Sequence, residues 1–194
     1  MSSTLLKSST SEAWAAVAAD DLDATLADHA HCEKKASVSA IALINDYPGD
    51  ATLVRAMSKL AGEELRHFRE VYAVLLERGV ELGRDRGDPY AKALFKLLRP
   101  GLEHRKLDRL LIAALIEERS CERFRLLGRE LERRGEAQLA ARYRRLEISE
   151  AGHATLFVRL ASEQFGAETS ARLEELSAAE AQIIAALPIA ARIH

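Results

Sequence analysis

The stretch DATLVRAMSKLAGEELRHFREVYAVLLERG, residues 50–79, decides the fold. Val54, Leu60, Val71 and Leu75 recur at helical spacing, and Glu64 and His67 fall on the same stripe. That pattern predicts an amphipathic helix with a carboxylate and an imidazole on its apolar face. Asp50 is placed to cap the first turn and Gly79 to release the chain at the end.

Working outward, a helix is predicted from about Asp21 to Asn45, with Leu22, Leu26, Glu33, Ala40 and Ile44 on one stripe and Tyr47-Pro48-Gly49 stopping it. The two helices form an antiparallel hairpin. Gly83, Gly87 and Pro89 mark a connector with a short helix around Tyr90 to Leu98, closed by Pro100-Gly101. A third helix is expected over Glu103 to Arg134, and Gly135 separates it from a fourth that runs to about Gln164, before Gly166. Short helices around Ser11 to Ala18 and Glu168 to Ala186 are expected to flank the bundle at both ends and cap it. Two hairpins joined by one long crossover is ferritin-like connectivity, so the expected fold is an all-α, ferritin-like four-helix bundle.

Bulk properties narrow the class. A chain of 194 residues with 48% hydrophobic content fits one domain, residues 1–194, with a substantial core. Charges interrupt every apolar run well short of the roughly 18 residues a membrane helix needs, so no membrane partner is expected. Met1 to Thr10 carries no apolar segment with a cleavage site, which points to the cytoplasm. Cys32 and Cys121 form neither a disulfide framework nor a zinc knuckle. A net charge of −2 excludes a uniformly basic surface and leaves a local basic patch open.

The chemistry lies in a pattern that occurs twice, a lone Glu on one helix followed by Glu-x-x-His on the next. The first copy is Glu33 with Glu64-Leu65-Arg66-His67, the second Glu117 with Glu150-Ala151-Gly152-His153. The Glu-to-Glu separations are 31 and 33 residues, as two comparable hairpins require. Residues three apart share a helix face, so each motif points a carboxylate and an imidazole inward. A buried, uncompensated ion costs on the order of several kcal/mol, and four carboxylates therefore demand positive charge. Two divalent ions balance them. Oxygen-rich ligation with two histidines suits iron or manganese, and iron is the expectation, with open positions for dioxygen.

On the third helix Glu117 is preferred over Glu118 and Glu122 because it shares its face with Leu110, Ala114, Cys121, Phe124 and Leu127. Glu147, one turn before Glu150, reads either as a partner orienting a ligand histidine or as an ordinary ion pair with Arg144 or Arg145. Gly62 and Gly152 interrupt helices at about 1 kcal/mol each relative to alanine, which close packing between helices, the preferred reading, or an access route would explain.

Two strings then resemble a known family. Asp28-His29-Ala30-His31-Cys32-Glu33-Lys34-Lys35-Ala36 and Ile116-Glu117-Glu118-Arg119-Ser120-Cys121-Glu122-Arg123-Phe124 are similar to those of the tRNA 2-methylthio-N6-isopentenyladenosine hydroxylases, di-iron monooxygenases acting beside the anticodon. The resemblance covers most of the chain. It implies two iron ions held by Glu33, Glu64, His67, Glu117, Glu150 and His153, no catalytic side chain beyond those ligands, and dioxygen as co-substrate. It also implies a tRNA substrate hydroxylated on its isopentenyl group. With no flavin or nicotinamide fingerprint in the chain, electrons come from an external reductase or carrier.

A tRNA substrate requires phosphate contacts. Arg84, Arg86, Lys92, Lys96, Arg99 and Arg105, with Lys106 and Arg109, offer one basic region, and Arg142, Arg144 and Arg145 another. The competing reading is a solvated surface paired with Asp85, Asp88, Glu103 and Asp108. The rival functions are another ferritin-like di-iron oxidoreductase, reducing peroxide or storing iron, and a metal-free structural bundle.

Overall fold

The structure, a computed structural model, describes residues 5–194, and among them all regular structure is helical. The elements are α1 (Glu12–Asp20), α2 (Leu22–Asp46), α3 (Ala51–Glu77), α4 (Pro89–Phe95), α5 (Leu102–Arg133), α6 (Ala137–Phe165) and α7 (Ala167–Ala186). They fall into two compact units. Residues 20–87 with 191–193 form one, and residues 5–19, 88–190 and 194 form the other. None of the helices is long and apolar enough to cross a membrane.

In the first unit, aspartates set the helix starts. Asp21 accepts a hydrogen bond from the Ala24 N–H at 3.3 Å, and Asp50 from Leu53 N–H at 2.9 Å, satisfying donors that a first turn leaves open. At the end of α3, Gly79 adopts φ of 70°, which lets its own N–H reach the Leu76 carbonyl and the Val80 N–H reach Leu75. Helices α2 and α3 pack along each other, and the Ser37 hydroxyl donates to the Ala61 carbonyl at 2.9 Å. Leu26, Ala30, Leu43, Leu53, Met57, Leu60, Val71 and Leu75 are buried. Near the hairpin turn the inward face lies one residue from its expected place. Leu43 and Leu53 are buried, whereas Ile44 and Val54 are only half-buried, because the stripe drifts as each helix approaches its end.

In the second unit α5 and α6 pair, and Gly128 of α5 faces α6. A Cβ there would stand 3.6 Å from the Ala140 carbonyl oxygen and the Tyr143 Cβ. Phe124 and Tyr143 pack at 5.4 Å between ring centres, and Leu110, Leu111, Leu115, Leu127, Phe157 and Leu160 are buried along the two helices. Burying each such Leu or Phe contributes about 1.5–3 kcal/mol. Helix α7, expected as a short cap, is a 20-residue element packed on α4, α5 and α6. It contributes charge as well as apolar surface. Glu180, fully buried, accepts from Arg119 on α5 at 2.8 Å and from the Tyr90 hydroxyl on α4 at 2.8 Å. Burial and the neighbouring Glu180 charge push the Tyr90 phenol far above its ordinary pKa, so it remains a donor. Arg172 of α7 likewise reaches Asp108 at 2.8 Å, which Arg99 also grips at 2.9 Å.

Gly62 and Gly152 need a different explanation from close packing. Among the described residues, nothing lies within 4 Å of a Cβ built at either position. Both are exposed.

Candidate metal centre

Each hairpin carries its own acidic and imidazole set. On the first, Glu33 from α2 meets Glu64 and His67 from α3, because 64 and 67 share the inward face of α3 and 33 lies level with them on α2. His67 Nδ1 is 3.5 Å from Glu33 Oε2 and 3.6 Å from Glu64 Oε2, and the candidate ligand atoms of the three residues lie within 4.8 Å of one another. All three are buried, at 4%, 1% and 1% exposure.

The second hairpin repeats this arrangement. Glu117 from α5 joins Glu150 and His153 from α6, again with ligand atoms within 4.8 Å. His153 Nδ1 is 3.2 Å from Glu150 Oε2. These residues are also buried. Glu117 was chosen over its neighbours on the strength of the apolar stripe, and the structure places it inward while Glu118 and Glu122 are half-buried. Glu122 is instead bound by Arg119 and by Thr10.

Two buried carboxylates and an imidazole per hairpin form a donor set compatible with a divalent cation. Their charge is otherwise costly at this depth. Each histidine turns Nδ1 toward the carboxylates, so a single ring atom on each is positioned to ligate.

One supporting residue escaped the reading of the sequence. His29 is buried, and its Nε2 lies 2.6 Å from Glu33 Oε1. It occupies Oε1 while Oε2 faces His67, so the carboxylate is held with one oxygen directed at the set. The signal was present, since His29 precedes Glu33 by one helical turn on the same face. Glu147, which was the residue considered for that kind of role, binds Arg125 at 2.7 Å at the protein surface, and not Arg144 or Arg145. Arg144 pairs with Glu132.

The basic residues divide by environment. Arg84 and Arg86 are exposed in the first unit, and Lys92, Lys96 and Arg105 in the second. Arg99 is engaged internally with Asp108 and Glu168, and Lys106 is buried.

Two helical hairpins linked by one long crossover, each presenting buried Glu and His side chains, define a ferritin-like protein equipped for metal chemistry. All 194 residues match the family described as tRNA-(MS[2]IO[6]A)-hydroxylase (MiaE), and the chain belongs to that family. It is 36% identical over 186 residues to the tRNA 2-(methylsulfanyl)-N(6)-isopentenyladenosine(37) hydroxylase of Pseudomonas putida, covering 95% of this chain and 89% of the relative. The Salmonella typhimurium protein of the same name is 32% identical over 157 residues, which is 81% of this chain and 56% of that longer relative. Among solved structures, a Synechococcus protein described as having aldehyde deformylating oxygenase activity aligns with a TM-score of 0.90 at 36% identity, over 98% of this chain and 95% of its own.

Proposed function

We propose that this chain is a dioxygen-dependent di-iron hydroxylase of tRNA, acting on the isopentenyl group of 2-methylthio-N6-isopentenyladenosine beside the anticodon. The observation that carries this reading is the pair of buried Glu and His sets in a chain matched from end to end by a tRNA hydroxylase family. The match through residues 1–194 also supports reading the chain as one functional domain.

Glu33, Glu64 and His67, with Glu117, Glu150 and His153, are the residues that would hold two iron ions. Two divalent ions neutralise four glutamates and leave the imidazoles neutral. Iron bound there would supply dioxygen activation, which amino-acid side chains cannot perform by themselves. One oxygen atom enters an allylic C–H bond of the isopentenyl group and the other leaves as water. Two electrons and two protons are required, and an external reductase or electron carrier delivers the electrons. The side chains provide charge balance and orientation. Nδ1 of His67 and of His153 point at their carboxylates, and His29 holds one oxygen of Glu33 while the other faces His67. Exposed Arg84, Arg86, Lys92, Lys96 and Arg105 are available to RNA phosphates, whereas Arg99 acts within the fold by holding Asp108. A tRNA substrate places the protein in the cytoplasm.

The likeness to the Synechococcus protein supports a second reading within oxygenase chemistry, with an aldehyde as substrate. One experiment separates the two. Reduced, iron-loaded protein is given dioxygen with either prenylated, methylthiolated tRNA or a long-chain aldehyde, and products are analysed by mass spectrometry. Gain of one oxygen on the modified nucleoside is expected. Dioxygen consumption with the aldehyde and an unchanged nucleoside would move the function to the second reading.

A further inference from the structure

The string at residues 28–36 carries the resemblance to the family, yet only Glu33 in it is a proposed ligand. His29 supports that ligand, and Asp28 accepts from the Ile193 N–H at 2.8 Å and pairs with Arg192 at 2.9 Å. His31, Lys34 and Lys35 have no part in either arrangement.

Lys34 Nζ lies 2.9 Å from His31 Nδ1. An ammonium group can only donate, so Nδ1 accepts and the ring proton resides on Nε2. That N–H is enclosed, since His31 is 6% exposed and its Nε2 has no hydrogen-bond partner among the described residues. Buried donors are nearly always satisfied, and this one marks a position for an acceptor that the described residues do not supply. Further cations lie on the same helix and on the neighbouring loop. Lys35 Nζ is 3.9 Å from Asp85 Oδ2, which brings the segment at residues 84–86, with exposed Arg84 and Arg86, against this part of α2. Lys34 and Lys35 thus stand near the carboxylate of Asp85, and Arg84 and Arg86 adjoin it along the chain. Burial alone would raise the Asp85 pKa, but the Gly87 N–H and the nearby lysine charges, Lys35 first, outweigh it and hold the carboxyl below its usual range. It is an internal anion in a site with an excess of positive charge.

We propose that His31, Lys34, Lys35, Arg84 and Arg86 form a phosphate subsite for the RNA backbone, and that Asp85 competes with phosphate for it. The inference rests on the tRNA reading and specifies which surface the substrate uses. His31, Lys34 and Lys35 lie within two helical turns of α2 around Glu33, on faces rotated from it by about 100° per residue. A phosphate gripped there keeps its nucleotide close to the helix that carries the ligand. Cations spread over a helix and a neighbouring loop match successive phosphates of a strand better than one isolated anion.

The test is fluorescence anisotropy of a labelled anticodon stem-loop RNA with the full-length, iron-loaded protein over a range of salt. Lys34→Gln with Lys35→Gln is expected to weaken binding about tenfold and to flatten log Kd against log salt by about 0.7–0.9 per lost phosphate contact. Asp85→Asn, which keeps an oxygen for the Gly87 N–H, is expected to tighten binding, an effect that misfolding cannot imitate. A control that removes two cations elsewhere, Lys59→Ala with Arg159→Ala, should leave both affinity and slope within error. Unchanged affinity in the lysine pair, or weaker binding in Asp85→Asn, overturns the proposal. Protection of the cluster by inorganic phosphate alone, with RNA affinity indifferent to the substitutions, reassigns the site to a free anion and also overturns it. If the wild type hydroxylates the RNA while the variants bind it normally, the subsite falls and the tRNA reading stands. If the wild type neither binds nor hydroxylates it, both fall.

Discussion

The two hairpins carry the same Glu and His pattern and support it by different means. On α2 and α3 the support is local, with His29 one turn from Glu33 holding one of its oxygens at 2.6 Å. On α5 and α6 it comes from elements outside the pair. Arg119, two residues beyond Glu117, is locked by Glu180 of α7, which also receives the Tyr90 hydroxyl of α4. A repeated ligand motif therefore does not imply a repeated scaffold. Buried metal-binding carboxylates must be oriented, and a hydrogen bond from the next turn or a buried ion pair that fixes the helix can do so.

Removing Glu180 should have the largest effect. Glu180→Ala leaves the enclosed Arg119 with Glu122 as its remaining carboxylate partner and removes the acceptor of the Tyr90 hydroxyl, and loss of one partner from a buried pair costs up to about 3–5 kcal/mol. Urea unfolding of the metal-free protein should report that loss, while a change below about 1 kcal/mol, the range of exposed pairs, would mean that α7 is merely a cover.

The contrasting prediction concerns metal. His29→Ala should lower affinity for Mn²⁺ or anaerobic Fe²⁺ by about 10–100-fold, as loss of a partner that orients a ligand does. Glu147→Ala, which removes only the surface pair with Arg125, should leave calorimetric titrations unchanged. Equal effects from the two substitutions would remove the distinction between His29 as an orienting group and an ordinary neighbour.

A smaller effect should be common to both hairpins. Gly62→Ala and Gly152→Ala place a methyl group in open space on a helix, so each should stabilise the fold by about 0.5–1 kcal/mol in denaturant unfolding. Destabilisation at Gly152 alone would show a constraint specific to the second Glu-x-x-His.

The helices, their hairpin connectivity and the inward, buried placement of the six Glu and His residues were legible because helical periodicity and a doubled motif are local signals. The drift from Ile44 to Leu43, and from Val54 to Leu53, was not, since it depends on how helix ends meet in three dimensions. Glu180 was hidden for a related reason. It sits among ordinary glutamates of a helix expected only to flank, and its burial follows from the placement of Arg119, which is 61 residues away in sequence. His29 was legible from spacing and overlooked because Glu33 drew the whole reading of that helix. The connector arginines looked equivalent by composition. Only coordinates show Arg99 clasped by Asp108 and Glu168 while Arg84 and Arg86 face solvent.

The most direct test of the ligand assignment is iron content and Mössbauer spectroscopy of the anaerobically loaded protein, compared with Glu117→Ala and His153→Ala. Two ferrous ions per chain in the wild type, and loss of iron from both variants with the helical circular dichroism retained, are the expected results. Two tightly bound ions in either variant, with unaltered spectra, would contradict the assignment of these buried side chains as the metal ligands.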